Sequence, residues 1–318
     1  MKKVVIILLA LALAVSFGAC SGGSENQSGT NSSTKAPAAS ANSGTDNTPS
    51  SGATPAAPDD ETPTAEREPV AGSEGLEIMD YGDTCEVRKI GSFTGTELII
   101  PSHFNGHPVT HIDEDAISND TMKSLFIPWT VVSIGEDAVS SSANLEAVTF
   151  SEGLIGLGSG AFSSCKALKK VSLPSTLEYI SGYAFVECTA LEEVTVSGNA
   201  EVERYAFQNC SALKTFAFTG NSTRPYSIKN SVFEGDTALE TVTLTEGLGT
   251  IGSFAFSGCT SLGTIYLPAS LSKIEASAFS NVGTLKVFYA GSEEDWAKIS
   301  VANGNDSLVN AEIVYNHK

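Results

Sequence analysis

The sequence is short of the residues from which most active sites are built. Its 318 residues include four His, two Trp and three Met. It carries 18 Lys and Arg against 37 Asp and Glu, a formal net charge of −19. A basic deficit of that size repels nucleic acid and anionic lipid headgroups, so no nucleic-acid partner is expected. No G-x-S-x-G occurs, and four His give a Ser-His-Asp arrangement little material. Large apolar residues are missing between Cys20 and Val70, where Ser, Thr, Ala, Gly and Pro dominate. Such a stretch cannot bury enough surface to offset chain entropy, which predicts disorder. Residues 20–75 then read as a tether with a root-mean-square span of roughly 40 Å.

Ahead of the tether stands "MKKVVIILLALALAVSFGAC", with Lys2 and Lys3, an apolar run from Val4 to Val15, and small residues before Cys20. The run is too short for a spanning helix of about 20 apolar residues and reads as a secretion signal. It resembles a bacterial lipoprotein signal, which implies removal of residues 1–19 and lipidation of Cys20.

What the chain has in quantity is repetition. "LGSGAFSSCKALKKVSL" (157–173), "ISGYAFVECTALEEVTV" (180–196) and "IGSFAFSGCTSLGTIYL" (251–267) are copies of one 17-residue unit, I-x-x-x-A-F-x-x-C-x-x-L-x-x-V-x-L. Copies begin at Ile134, Leu157, Ile180, Val202, Ile228, Ile251 and Ile274, with a 16-residue version at Ile112. The connections run to 6, 6, 6, 5, 9, 6 and 6 residues. A fixed unit with variable connections means that units pack and connections are surface loops. In "LKKVSL" (168–173), Val171 and Leu173 alternate with Lys170 and Ser172, the period of a strand with one buried face. "GSGAFSSC" (158–165) lacks that alternation and predicts a short helical or 3₁₀ turn with Phe162 inside. No unit can bury its apolar face alone, so stacking is required.

The Cys position holds Cys165, Cys188, Cys210 and Cys259, and elsewhere Ser142, Asp236 and Val282. Spacings near 23 residues match no zinc template, and Val is tolerated. Stacked coils bring Cα atoms to about 5 Å, within disulfide range, but parallel side chains need not face one another. Reduced structural thiols are expected, and Cys85 is expected in the core as well.

The unit resembles the BspA-type leucine-rich-repeat family of bacterial surface proteins, whose repeat reads L-P-x-x-L-x-x-I-G-x-x-A-F-x-x-C-x-x-L. "LPASLSKIEASAFSNVGTL" (267–285) and "LPSTLEYISGYAFVECTAL" (173–191) carry the likeness, which extends over residues 76–318. It implies a leucine-rich-repeat solenoid, a right-handed stack of short strands and helical or 3₁₀ turns. An N-terminal cap with an insertion hairpin would occupy 76–111, eight repeats 112–287, and a C-terminal cap 288–318. The resemblance further implies a monomeric, non-enzymatic adhesion protein on the bacterial cell surface, lipid-anchored to a membrane. Its partners would be host matrix proteins or other bacteria, with no cofactor. A capture module for polysaccharide or peptide in nutrient uptake is the second reading.

Both ends make physical sense. Ser292 with Asp295 three residues on reads as a helix N-cap, Trp296 and Ile299 would cover the final core layer, and "EIVY" (312–315) makes a last strand. Near the start, Asn105-Gly106 between β-rich flanks signals a hairpin in which Phe104 pairs with His107. His103 and His107 then point to opposite faces, and His107 and His111 sit about 13 Å apart. No two of these His converge, so no metal site is expected.

Binding, if it occurs, belongs to the outward columns. The middle strand position reads Phe126, Thr149, Ser172, Thr195, Ala217, Thr243, Tyr266 and Tyr289, with aromatic anchors only near the ends. An adjacent column, Lys123, Glu146, Lys169, Glu192, Lys214 and Glu240, alternates in sign and reads as a salt-bridge ladder. The 9-residue connection "TGNSTRPYS" (219–227) breaks the regular length and offers Arg224 and Tyr226 as surface anchors. Trp129, in "PWTVVS" (128–133), is a further exposed-aromatic candidate.

Overall fold

A computed structural model describes residues 67–220 and 224–317. The expected signal, Cys20 and residues 20–66 of the expected tether lie outside the described residues.

One coil shows how the repeat makes the fold. Lys170–Leu173 is a strand that buries Val171 and Leu173 and exposes Lys170 and Ser172. After the turn at Pro174 comes the two-residue strand Tyr179–Ile180. A series of turns then leads to Glu193–Val196, the equivalent strand one coil on. The pairing is parallel and in register, with Val171 opposite Val194 and Leu173 opposite Val196. Ile180 likewise lies opposite Val202. Repetition builds a ten-stranded sheet from the longer strands, sheet B, and a twelve-stranded sheet that includes the shorter ones, sheet A.

The segment between the two sheets corrects the expectation of a helical or 3₁₀ turn. The N–H groups of Ala161, Ser163 and Cys165 donate to carbonyls three residues back. Those of Gly160, Phe162 and Ser164 donate instead to Gly182, Ala184 and Val186 of the next coil. The backbone can alternate because the residue before each Ala-Phe pair and the residue before each Cys sit at positive φ. Gly160 and Ser164 have φ of 61° and 56°, and Tyr183 and Glu187 have 62° and 59°. A 3₁₀ helix would point every N–H along its own axis. Here half of them join coils and form a third hydrogen-bonded wall.

Inside, Phe162, Phe185, Phe207, Phe233, Phe256 and Phe279 stack face to face, with centroids 5.2–5.6 Å apart and planes within 22°. The Ala before each of most of these rings is fully buried, leaving room for the backbone of the neighbouring coil. Each Cys of the column serves a neighbour. Cys188, Cys210 and Cys259 direct Sγ to the carbonyls of Phe162, Phe185 and Phe233 at 3.1–3.2 Å. Cys165 meets the Val139 carbonyl at 3.4 Å. The five described Cys are free thiols. Burial pushes the Cys165 thiol up to about 12 and raises Cys188, Cys210 and Cys259 well above the ordinary value, so the column is inert SH packing.

At the C-terminal end, Ser292 caps the helix α1 (Glu293–Trp296) in a reciprocal capping box with Asp295. Trp296 packs edge-on against Tyr289 at 5.1 Å, Ile299 is buried, and Glu312–Val314 adds the last strand. A second short helix, α2 (Asp306–Val309), was not foreshadowed by the repeat. Just before it, buried Asn305 imitates a missing coil. Its Oδ1 accepts from the Phe279 N–H at 3.0 Å, and its Nδ2 donates to the Glu275 and Ala302 carbonyls. At the other end the rod begins earlier than residue 76. Val70 and Ser73 hydrogen-bond to Ser102 and Ile99, tying residues 70–75 to the first coil. The strands β1 (Glu77–Asp80), β2 (Cys85–Lys89), β3 (Glu97–Ile99), β4 (His103–Phe104) and β5 (His107–Ile112) complete that end. β4 and β5 form the expected hairpin, with Phe104 opposite His107 and positive φ at both Asn105 and Gly106.

Candidate functional site

The outward side of sheet B carries the charge ladder. Lys123 and Lys169 flank Glu146 at 3.9 and 3.5 Å, Lys214 meets Glu192 at 2.8 Å, and Lys170 meets Glu193 at 2.7 Å. Hydrogen bonding holds Glu192 below and Lys214 above their ordinary pKa values. All these side chains are substantially exposed, so solvent screens each pair and it adds little to stability. Alternating signs make the ladder self-satisfied and leave little uncompensated charge for a partner.

Two of the candidate anchors are inside. Tyr226 is buried, and its hydroxyl donates to the Thr245 carbonyl at 3.0 Å while accepting from the Thr245 N–H. It opens the strand Tyr226–Ile228 opposite Leu248 and fills the core space that Leu takes in neighbouring coils. Its ring packs on Phe218 at 4.8 Å. Tyr289 is buried too. The last copy places one residue, rather than two, between its Leu and the strand's first inward residue, counted as Leu285 to Val287 against Leu262 to Ile265. That one-residue slip turns every later side chain to the other face. Phe288, not Tyr289, lies opposite Tyr266.

The other candidates stay at the surface. Tyr266 and Phe288 stack at 4.9 Å, and His317 lies against both rings. Phe126 is half-buried in a shallow groove lined by Val70, Leu98, Ile99, Leu125 and Thr149. Trp129 is half-buried, with the Arg67 guanidinium over its ring at 5.6 Å. Arg224 is exposed and pairs with Glu178 at 3.1 Å. The structure therefore scatters these residues along the rod instead of gathering them.

One aromatic column escaped the sequence reading. The residue before each Ala-Phe pair, or its equivalent, reads Asp115, Asp137, Gly160, Tyr183, Tyr205, Ser231, Phe254 and Ser277, all at φ between 49° and 63°. Tyr183 and Tyr205 stack at 4.9 Å on adjacent coils. Tyr183 and Phe254 keep 43% and 45% of their surface exposed. The signal lay in "GYAF", "RYAF" and "SFAF", where a bulky ring stands in a column that also accepts Gly and Ser.

The three N-terminal His have separate partners: Ser102 for His103, Asp80 for His107 and Thr110 for His111. His107, however, brings Asp80 and Cys85 together, a grouping no linear spacing announced.

Repeated coils, the Phe stack and the Cys column leave the family to be tested. The model of the BspA type leucine rich repeat region matches residues 110–227, 202–293 and 226–313, six copies in all. The chain belongs to the BspA-type leucine-rich-repeat family. A crystal structure of a leucine-rich repeat protein from T. pallidum is similar at 21% identity, with a TM-score of 0.53 over 60% of this chain and 89% of that one. One from Bacteroides ovatus is similar at 19% identity, with a TM-score of 0.49 over 77% of this chain and 70% of that one. No curated protein matches the chain. At 21% identity the likeness to the T. pallidum protein speaks for the fold alone. Among the described residues, no helix of this BspA-type protein is long and apolar enough to cross a membrane.

Proposed function

We propose that this BspA-type protein is a non-enzymatic cell-surface binding protein that presents its repeats to host matrix proteins or to other cells. The observation that carries the reading is the Tyr183–Tyr205 stack at positive φ, with Tyr183 exposed and Tyr205 half-buried. A left-handed backbone costs a side chain with a Cβ about 1–2 kcal/mol that Gly avoids. Burial offsets that cost only in part, because Tyr183 keeps 43% of its surface exposed. Aromatic residues dominate the energetics of protein interfaces, and a strained, partly exposed pair suits that use. Lipidation of Cys20 and the tether belong to the same reading, since the first would fix the chain to a membrane and the second would hold the repeats away from it.

Ring geometry favours a protein over a polysaccharide partner. A sugar stacks on the face of a ring, and mutual stacking takes up one face of each ring in the Tyr183–Tyr205 and Tyr266–Phe288 pairs, leaving fewer faces than separate rings would offer. The test is binding of the full chain to immobilised matrix proteins, whole bacteria and polysaccharides. Replacing Tyr183 and Tyr205 together with Gly, the residue at position 160 of the same column, should weaken protein or cell binding at least tenfold, while Tm holds or rises. Unchanged binding retires the column as the site. Binding to polysaccharides alone overturns the reading in favour of nutrient capture.

A further inference from the structure

Two hairpins lie side by side at one end of sheet A. Asp80 ends β1 and Cys85 begins β2, as partners across the first hairpin. β2 pairs in parallel with β5, where Cys85 lies opposite Val109, and His107 begins that strand. The carboxylate, thiol and imidazole atoms of Asp80, Cys85 and His107 all lie within 4.8 Å of one another. Asp80 Oδ1 sits 2.9 Å from His107 Nδ1. The Gly82 N–H at 2.9 Å and Asn105 Nδ2 at 3.2 Å hold the same carboxylate in place. Cys85 is fully buried, while the side chains of Asp80 and His107 keep 23% and 38% of their surface.

We propose that Asp80, Cys85 and His107 bind a zinc-class divalent cation, with a fourth position open to water. Thiolate, imidazole and carboxylate are the ligands zinc takes, whereas calcium and magnesium require oxygen-only sets. Tetrahedral bonds of about 2.0–2.3 Å place ligand atoms roughly 3.3–3.8 Å apart. The Asp80–His107 pair must open by about half an ångström and the thiol close by about one at most, which side-chain rotation supplies. The partly exposed carboxylate and imidazole give the ion a route in, above a buried thiol. Gly82 and Asn105 act as the outer shell that orients a ligating carboxylate.

The setting of Cys85 differs from that of the column thiols. The column thiols lie 3.1–3.4 Å from carbonyls of the preceding coil, but Cys85 Sγ is 3.5 Å from the Phe104 carbonyl and faces a carboxylate. Zinc takes the thiolate, so metal binding releases a proton and strengthens as pH rises. A bound ion would tie the first hairpin to the insertion hairpin and brace the N-terminal end of the rod.

The test uses the full chain carrying Cys20→Ser, reduced and stripped with chelator, then titrated with Co²⁺ and Zn²⁺. One equivalent of Co²⁺ should give a near-ultraviolet thiolate-to-cobalt band that Zn²⁺ bleaches. Zn²⁺ at a hundredfold excess over Kd should raise Tm by about 5–10 °C. His107→Gln should weaken Zn²⁺ binding by more than the 10–100-fold that loss of an outer-shell partner causes. Cys85→Ser should abolish the band, and His103→Gln should change nothing. Should Cys85→Ser fail to fold, half-exposed His107 still decides the matter. A wild-type chain with neither band nor zinc-dependent Tm overturns the proposal, as does a band that survives His107→Gln at full affinity.

Discussion

Asp236 stands where the column has Cys, and replacing it tests what the column does. Its carboxyl is wholly buried. Oδ1 accepts from the Cys210 N–H at 2.8 Å, and Oδ2 has no partner. Burial drives its pKa well above the ordinary value, so the folded chain holds a proton there that the unfolded chain releases above about pH 4. Between those two pKa values the folded state binds one more proton than the unfolded state. Stability then falls by about 1.4 kcal/mol for each unit of rising pH. Asp236→Cys removes that loss and the orphaned oxygen, worth about 1–3 kcal/mol on its own. The Cys210 N–H keeps a second acceptor, the Phe207 carbonyl at 3.2 Å, so little is forfeited. Thermal melts at pH 4.5 and 7.5 should show the variant more stable at both, with an advantage that grows at the higher pH. Asp236→Asn, which keeps shape and Oδ1, should flatten the pH dependence without introducing a thiol. If Asp236→Cys melts below the wild type, or its advantage ignores pH, the account of the slot is wrong.

Three further outcomes follow from named contacts. Asn305→Ala should cost about 2–4 kcal/mol, seen as a lower urea midpoint, because it orphans the buried Phe279 N–H and two carbonyls. Tyr226→Ala should cost about 3–5 kcal/mol as a large core truncation, whereas Arg224→Ala should lie within about 0.5 kcal/mol in the same melts. Equal effects of these two would contradict the split between core and surface. Cys165, Cys188, Cys210 and Cys259 should resist a thiol reagent in the native protein and react together on denaturation, and immediate native labelling at the column would mean the coils are not closed.

The regular part of the molecule was legible because the repeat writes the same packing decision many times. Phe162 and its equivalents had to be interior, Val171 and Leu173 had to share a face, and the alternating Lys and Glu column had to pair across coils. Stacking in register turns each sequence column into a spatial column. Legibility failed where a single residue altered the count. Period alone puts Tyr289 outside, whereas the last copy is one residue shorter before its strand. The length of the 219–227 connection suggests a loop at Tyr226 and hides a residue that has taken over a core position. Period alone assigns these wrongly, since the buried face is chosen by what fits beneath it.

The turn wall failed for a different reason. Ala-Phe and Cys positions lack strand alternation, and absence of alternation predicts a helical turn. Positive φ at every residue before Ala-Phe and before Cys makes a third solution, in which N–H groups alternate between their own coil and the next. Gly160, Gly235 and Gly258 are explicit traces of it, yet Tyr183, Tyr205 and Phe254 occupy the same left-handed columns with side chains that disfavour them. Small residues there follow from the fold, and bulky exposed rings do not. For that reason the search for a partner begins at Tyr183 and Tyr205, even though Arg224 and Tyr226 sit in the more conspicuous loop.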